Sequence, residues 1–133
     1  LTTALEPGEI LTQISFSPLP PRTGYSYIKH RQPASGFALV GAAVALTLDS
    51  RGNCERARVG ITGLAAKAFR PAAVESALNG KKLDAKAISA AASQTADGTD
   101  PLSDIHASAD FRAELTRVYT GRAIEQALAR VKS

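Results

Sequence analysis

The sequence predicts an α+β fold: an antiparallel sheet of three to four strands, covered on one face by about three helices. Three observations carry this. Apolar and polar residues alternate with the period of a pleated strand through much of the first half. The second half holds Ala-rich and amphipathic segments bounded by helix start and stop signals. Strand-like and helix-like segments do not alternate, which favours a sheet with helices on one side over a parallel α/β arrangement.

In chain order, Ile10 to Phe16 alternates (Ile10, Thr12, Ile14 and Phe16 against Leu11, Gln13 and Ser15) and reads as a first strand. The run SPLPPRTG then interrupts regular structure, because three prolines withhold backbone donors and Gly24 permits a turn. Tyr25 to Lys29 resumes an extended pattern. FALVGAAVALTLD is apolar enough for a strand or a helix, and the turn Asp49-Ser50-Arg51-Gly52-Asn53 with alternation beyond it decides for strand, turn, strand over 37–64. Pro71 opens the helix AAVESALNG and Gly80 closes it. Asp84 caps DAKAISAAASQTA. Ser108 or Asp110 caps a last, long helix whose expected apolar stripe is Phe111, Leu115, Val118, Tyr119, Ala123, Leu128 and Val131.

The chain has 133 residues, 44% hydrophobic and 21% charged, which fits one globular core. Aromatics make up 5% and Trp and Met are absent, so Ala, Val, Leu and Ile must build that core. The net charge of +4 is spread among acids rather than gathered in runs with aromatics, which argues against a nucleic-acid partner. No apolar run reaches the ~20 residues of a membrane span. The single Cys54 excludes an internal disulfide or a thiolate metal cluster, reads as a half-buried residue at a strand start, and fits a cytoplasmic location. LTTALEPGEI does not resemble a signal peptide, and without an initiator Met it is expected to follow a removed upstream portion.

A search for self-sufficient chemistry is mostly negative. There is no strand–glycine loop–helix dinucleotide fingerprint, no phosphate loop and no His or carboxylate spacing suited to a metal. Asp100 and Asp104 fall in a loop, where capping or solvation is the ordinary role of a carboxylate. In DPLSDIHASADFR, Ser103, Asp104 and Ser108 are expected to satisfy free amides at the start of the last helix, and His106 to be a surface residue. No catalytic residue and no metal site is assigned.

Four ordered blocks say more: LTTALEPGEILTQISF, YSYIKHRQPASGFALVGAAVALTLD, RVGITGLAAKAFRPAAVESALNGK and DPLSDIHASADFRAEL. Over nearly the whole chain they resemble the C-terminal domain of the FAD-binding medium subunit of molybdenum hydroxylases, in the carbon monoxide dehydrogenase branch of the xanthine dehydrogenase family. The resemblance implies a domain that closes over the isoalloxazine side of FAD. In that family electrons pass from a molybdopterin subunit through a 2Fe–2S subunit to the flavin, then to an acceptor. It implies that residues 1–24 are the linker and first strand leaving an absent FAD-binding domain, and 25–133 the C-terminal domain. It further implies that FAD is not retained by this chain alone, which is then inactive in isolation.

Three positions carry over as cofactor-binding. Leu11 stands where the family places an apolar residue against FAD. Lys29 matches a lysine at the polar edge of the flavin, where a cation stabilises charge on the reduced ring. Phe37 stands where the carbon monoxide dehydrogenase branch has a tyrosine over the ring face. Many relatives have Asp just before that aromatic, whereas this chain has Gly36, which puts an NAD-linked reaction in doubt. Phe37 in place of Tyr also lacks a phenolic donor. The alternative is a structural or subunit-interaction module with no direct role at FAD.

Overall fold

The computed structural model describes residues 3–131. Three strands form an antiparallel sheet in the order β1 (Thr23–Arg31), β2 (Ala38–Leu48), β3 (Cys54–Thr62). Three helices follow: α1 (Ala72–Leu78), α2 (Ala85–Ala92) and α3 (Ala109–Ala129). From β1 onward, the strand, turn and helix order expected from the sequence is the order observed.

Each element starts where its local chemistry dictates. Asp49 Oδ1 accepts from the amides of Arg51 and Asn53, both at 2.8 Å, and so folds the β2–β3 turn. Asp84 Oδ1 accepts from Ala87 N at 2.7 Å, and Ser108 Oγ from Phe111 N at 3.3 Å, capping α2 and α3. Pro71 stands at the entry to α1.

The strand period sorts β2 and β3 cleanly. Ala42, Val44 and Leu46 with Ala57, Val59 and Ile61 face the helices and are buried. Leu64 from the loop after β3, with Val74, Leu78, Ile88, Ala123, Ile124 and Ala127 from the helices, completes the core. Small side chains let α3 lie close over the sheet, where Ser26 Oγ donates to Ala123 O at 2.7 Å. At the other end of β1, His30 Nδ1 and the Tyr119 hydroxyl lie 3.1 Å apart.

Two expectations are corrected. Ile10–Phe16 is not a strand: it has no regular structure, and Ile10, Leu11, Ile14 and Phe16 are 82, 62, 65 and 89% exposed. An alternating pattern forms a strand only against a partner, and among the described residues no strand pairs with it. The buried face of α3 is Arg112, Thr116, Thr120, Ala123, Ile124 and Ala127, while Phe111 is 48% exposed. Of the expected apolar stripe, Ala123 is fully buried and Leu128 packs against the core, but the N-terminal half of the buried face differs, because its first three positions hold polar side chains. Thr116 becomes buriable by donating back to the Arg112 carbonyl at 2.7 Å.

The outer edge of β3 is sealed. Ala57 N donates to Asn79 Oδ1 and Val59 N to Glu75 Oε1, both at 2.8 Å; Cys54 N donates to Lys81 O and Ile61 N to Phe69 O, also at 2.8 Å. Glu75 and Asn79 stand four apart, one on α1 and the other at its C-cap, so one side of the helix supplies two acceptors to the edge. That arrangement removes a template for strand addition. Burial opposes the charge on Glu75, but hydrogen bonds from Arg70 and the Val59 amide outweigh it and hold the carboxyl below its usual range.

Candidate functional site

The second face of the sheet packs against no described helix, and the 17–20 segment lines part of it, beside Ala45, Thr47, Arg56 and Arg58. Its outward residues form cross-strand rows: Thr23, Thr47 and Arg56; Tyr25, Ala45 and Arg58; Tyr27, Ala43 and Gly60; Lys29, Gly41 and Thr62. Small side chains make the floor, with Tyr25 and Tyr27 (61 and 54% exposed) along one side and Arg56 and Arg58 along the other. The Tyr27 hydroxyl reaches over Gly41, where an added Cβ would lie 2.8 Å from it. An open groove of about 430 Å³ runs over Ala43, Ala45 and Gly60, between Tyr25 and Arg58 with Arg70.

Lys29 and Phe37 meet at the turn joining β1 to β2. Lys29 Nζ donates to Gly36 O at 2.9 Å, so the ammonium is tied to the residue beside Phe37. The turn is stiffened from within: Gly36 N donates to Gln32 O at 2.8 Å and Gln32 N to Phe37 O at 2.9 Å. Ser35 Oγ donates to Gln32 Oε1 at 2.8 Å. The Phe37 ring is 77% exposed, a large apolar surface on a well-bonded turn. Gly36 has φ +70, in the left-handed region that Gly, Asn and Asp enter most readily. The Asp expected there in relatives is therefore conformationally compatible with this backbone.

Leu11 lies apart from this turn, in the exposed stretch ahead of β1 and outside the core. Lys29 stands roughly 13 Å along β1 from Tyr25, so the groove and the turn are neighbouring regions of one face. Tyr25, Tyr27 and Arg58 were not singled out from the sequence. Their signal was the alternation of β1 and β3, which fixes the outward set once the inward set is known.

Beneath the turn lies a buried guanidinium that was also missed. Arg112, 4% exposed, donates through Nη1 to Leu39 O (2.6 Å) and Gly63 O (2.9 Å), and through Nη2 to Asp104 Oδ2 (2.6 Å). The Arg112 hydrogen bond, helped by the His106 and Ala107 amides, brings the Asp104 carboxyl down to about 2. Asp104 thus holds its own loop and Arg112, whereas the expected role was at free helix amides. Ser108 fills that role, and His106 is exposed as expected. Cys54 is fully buried at the start of β3, where desolvation pushes its thiol up to about 11, so it offers no nucleophile. No group of His, Cys, Asp and Glu among the described residues is arranged to hold a metal.

Residues 25–127 match the family of CO dehydrogenase flavoprotein C-terminal domains. The chain belongs to that family. The carbon monoxide dehydrogenase medium chain of Afipia carboxidovorans is 36% identical over 131 residues, 98% of this chain and 45% of that protein. The 6-hydroxypseudooxynicotine dehydrogenase complex subunit alpha of Paenarthrobacter nicotinovorans is 32% identical over 126 residues, 95% of this chain and 43% of that protein. Among solved structures, carbon monoxide dehydrogenase from Hydrogenophaga pseudoflava, lacking the Mo-pyranopterin moiety of its cofactor, superposes with a TM-score of 0.79. The identity there is 30%, over 86% of this chain and 39% of that one. The chain spans less than half the length of these relatives. Its α+β architecture is that of the flavoprotein C-terminal domain, with three strands and three helices.

The family name points to a flavin, and the residues present fit one edge of it. The turn offers an ammonium with N–H donors beyond the one given to Gly36, beside an unpacked aromatic ring. The described elements include no strand–glycine loop–helix unit of the kind that holds a pyrophosphate. The fit extends to the ring edge and no further. Among the described residues no helix is long and apolar enough to cross a membrane.

Proposed function

We propose that this chain is the closing domain of a molybdenum-hydroxylase flavoprotein subunit, and that the β1–β2 turn faces the isoalloxazine of FAD. The observation that carries the reading is the hydrogen bond from Lys29 Nζ to Gly36 O, which puts a cation and the exposed Phe37 ring on one turn. FAD supplies the electron-carrying chemistry when bound. The role of this chain is electrostatic and steric. Lys29 lowers the energy of negative charge at the ring edge, and Phe37 gives an apolar cover that excludes water. Leu11 adds an apolar contact from the segment ahead of β1. The pyrophosphate is held by a preceding FAD-binding portion, with residues 1–24 as the link to it and 25–133 as the closing domain.

In the complete cytoplasmic enzyme, electrons reach this flavin from a molybdopterin subunit by way of a 2Fe–2S subunit and leave to an acceptor. Lys29→Met in the full-length subunit tests the reading. The flavin midpoint potential is expected to fall, with FAD affinity changed less than the potential. An unaltered potential and spectrum would remove Lys29 from the flavin edge.

A second reading is a subunit-interaction module, and the open sheet face favours it. Tyr25, Tyr27 and Arg58 over a floor of Ala and Gly are the residue types that concentrate binding energy at interfaces. Capture of the partner subunits that survives Lys29 and Phe37 substitution but fails with Tyr25→Ala and Arg58→Ala would support this reading.

A further inference from the structure

The β1–β2 ladder slips at Leu39. Pairing runs unbroken from Thr23 with Thr47 to His30 with Val40, then shifts so that Arg31 pairs with Ala38. Leu39 is left over, with no partner on β1. A bulge residue must satisfy its backbone polar groups outside the ladder. Here the Leu39 carbonyl goes to Arg112 Nη1 at 2.6 Å, and the same nitrogen binds Gly63 O just beyond β3.

Burying a guanidinium is costly, and α3 is already anchored on the sheet three to four turns later by Ala123, Ile124 and Ala127. The buried charge is therefore concentrated at one place, two residues from Phe37. The bonds within 32–37 make the turn internally stiff, but they do not fix its angle to the sheet. The turn joins the sheet at the Arg31–Ala38 pair and the Leu39 bulge, and Arg112 binds the bulge carbonyl.

We propose that Arg112 is a positioning residue for the flavin-facing turn. By fixing the Leu39 bulge it orients Gly36 and Phe37, and through the Gly36 carbonyl it aims the Lys29 ammonium. Asp104 keeps the guanidinium in register from the far side. This rests on the assignment of the turn to the flavin edge made above.

The test uses the full-length subunit in its complex, with Arg112→Lys, Asp104→Asn and Lys29→Met. Readouts are the flavin midpoint potential, its visible spectrum, and amide exchange at Gln32 and Gly36. A lysine cannot span two carbonyls and a carboxylate. Arg112→Lys should therefore move the potential in the same direction as Lys29→Met and speed exchange at Gln32 and Gly36 tenfold or more. The Val59 amide should stay protected. Asp104→Asn, which retains both carbonyl bonds, should give a smaller shift of the same sign, and it carries the test if Arg112→Lys does not assemble. If Lys29→Met shifts the potential while the other two variants leave it and the Gly36 exchange unchanged, Arg112 is structural only and the proposal is wrong. If Lys29→Met itself is silent, the flavin-edge assignment falls and this proposal falls with it.

Discussion

Lys29 Nζ donates to the carbonyl of Gly36 across 2.9 Å, and Gly36 holds φ +70 with no atom within 4 Å of where a Cβ would stand. The site therefore has room for a side chain but a preference for residues that enter the left-handed region. Gly36→Asp should cost about 1 kcal/mol of stability. Its carboxylate would sit beside the Lys29 ammonium and offset part of its charge. In the full-length subunit this should lower the flavin midpoint potential, read by spectroelectrochemical titration. Gly36→Ala brings similar backbone strain without charge, and should leave the potential within error of the parent.

Gly63 has φ +81, and a Cβ there would fall 2.3 Å from the Leu39 carbonyl oxygen. That oxygen cannot retreat, because Arg112 binds it. Gly63→Ala should accordingly cost about 3 kcal/mol, combining backbone strain with overpacking. Urea unfolding of this chain measures it, and a loss below about 1 kcal/mol would show that the two backbones can move apart.

At the β3 edge, Glu75→Ala leaves the Val59 amide without its acceptor. The expected loss is roughly 1–3 kcal/mol, from an unmet donor rather than from the exposed pair with Arg70. Glu75→Gln keeps a carbonyl oxygen for Val59 and should recover most of the loss. The Ala variant should also aggregate faster on heating, followed by light scattering, because part of the strand edge is uncovered.

What the sequence made legible follows from which forces are local. Turn chemistry at Asp49 and the caps at Asp84 and Ser108 act within a few residues, and all three were readable. The pairing of Ile10–Phe16 was not, because alternation records a face and says nothing about whether a partner strand exists. Arg112 illustrates the harder limit. An arginine in the first turn of a helix reads as solvated, and only the bulge at Leu39, 73 residues away, makes it worth burying. Lys29 and Phe37 were located through family resemblance. Their meeting through the Gly36 carbonyl became visible only with the turn folded.

Cys54 should be chemically silent in the native state. Its side chain is fully buried and desolvation pushes the thiol up to about 11, so little thiolate exists at neutral pH and none is reachable. An aromatic disulfide reagent at pH 8 should react with it only at the rate of unfolding, and at full speed in denaturant. Rapid native labelling would mean that the Cys54 end of β3 opens locally.

Acid stability provides a check on the Asp104–Arg112 pair. The folded-state pKa of Asp104 is about 2, below its ordinary 3.8, chiefly because of the Arg112 hydrogen bond. A depressed carboxylate stabilises the fold fully above the unfolded value, and the contribution disappears as pH falls from 3.8 through about 2. Unfolding free energy should therefore decline over that window in the parent chain. Asp104→Asn should be less stable at neutral pH and should show a shallower decline, so that the two curves converge near pH 2. Parallel curves across the window would mean that Asp104 titrates as a free surface acid, and the ion pair would then not hold Arg112 in solution.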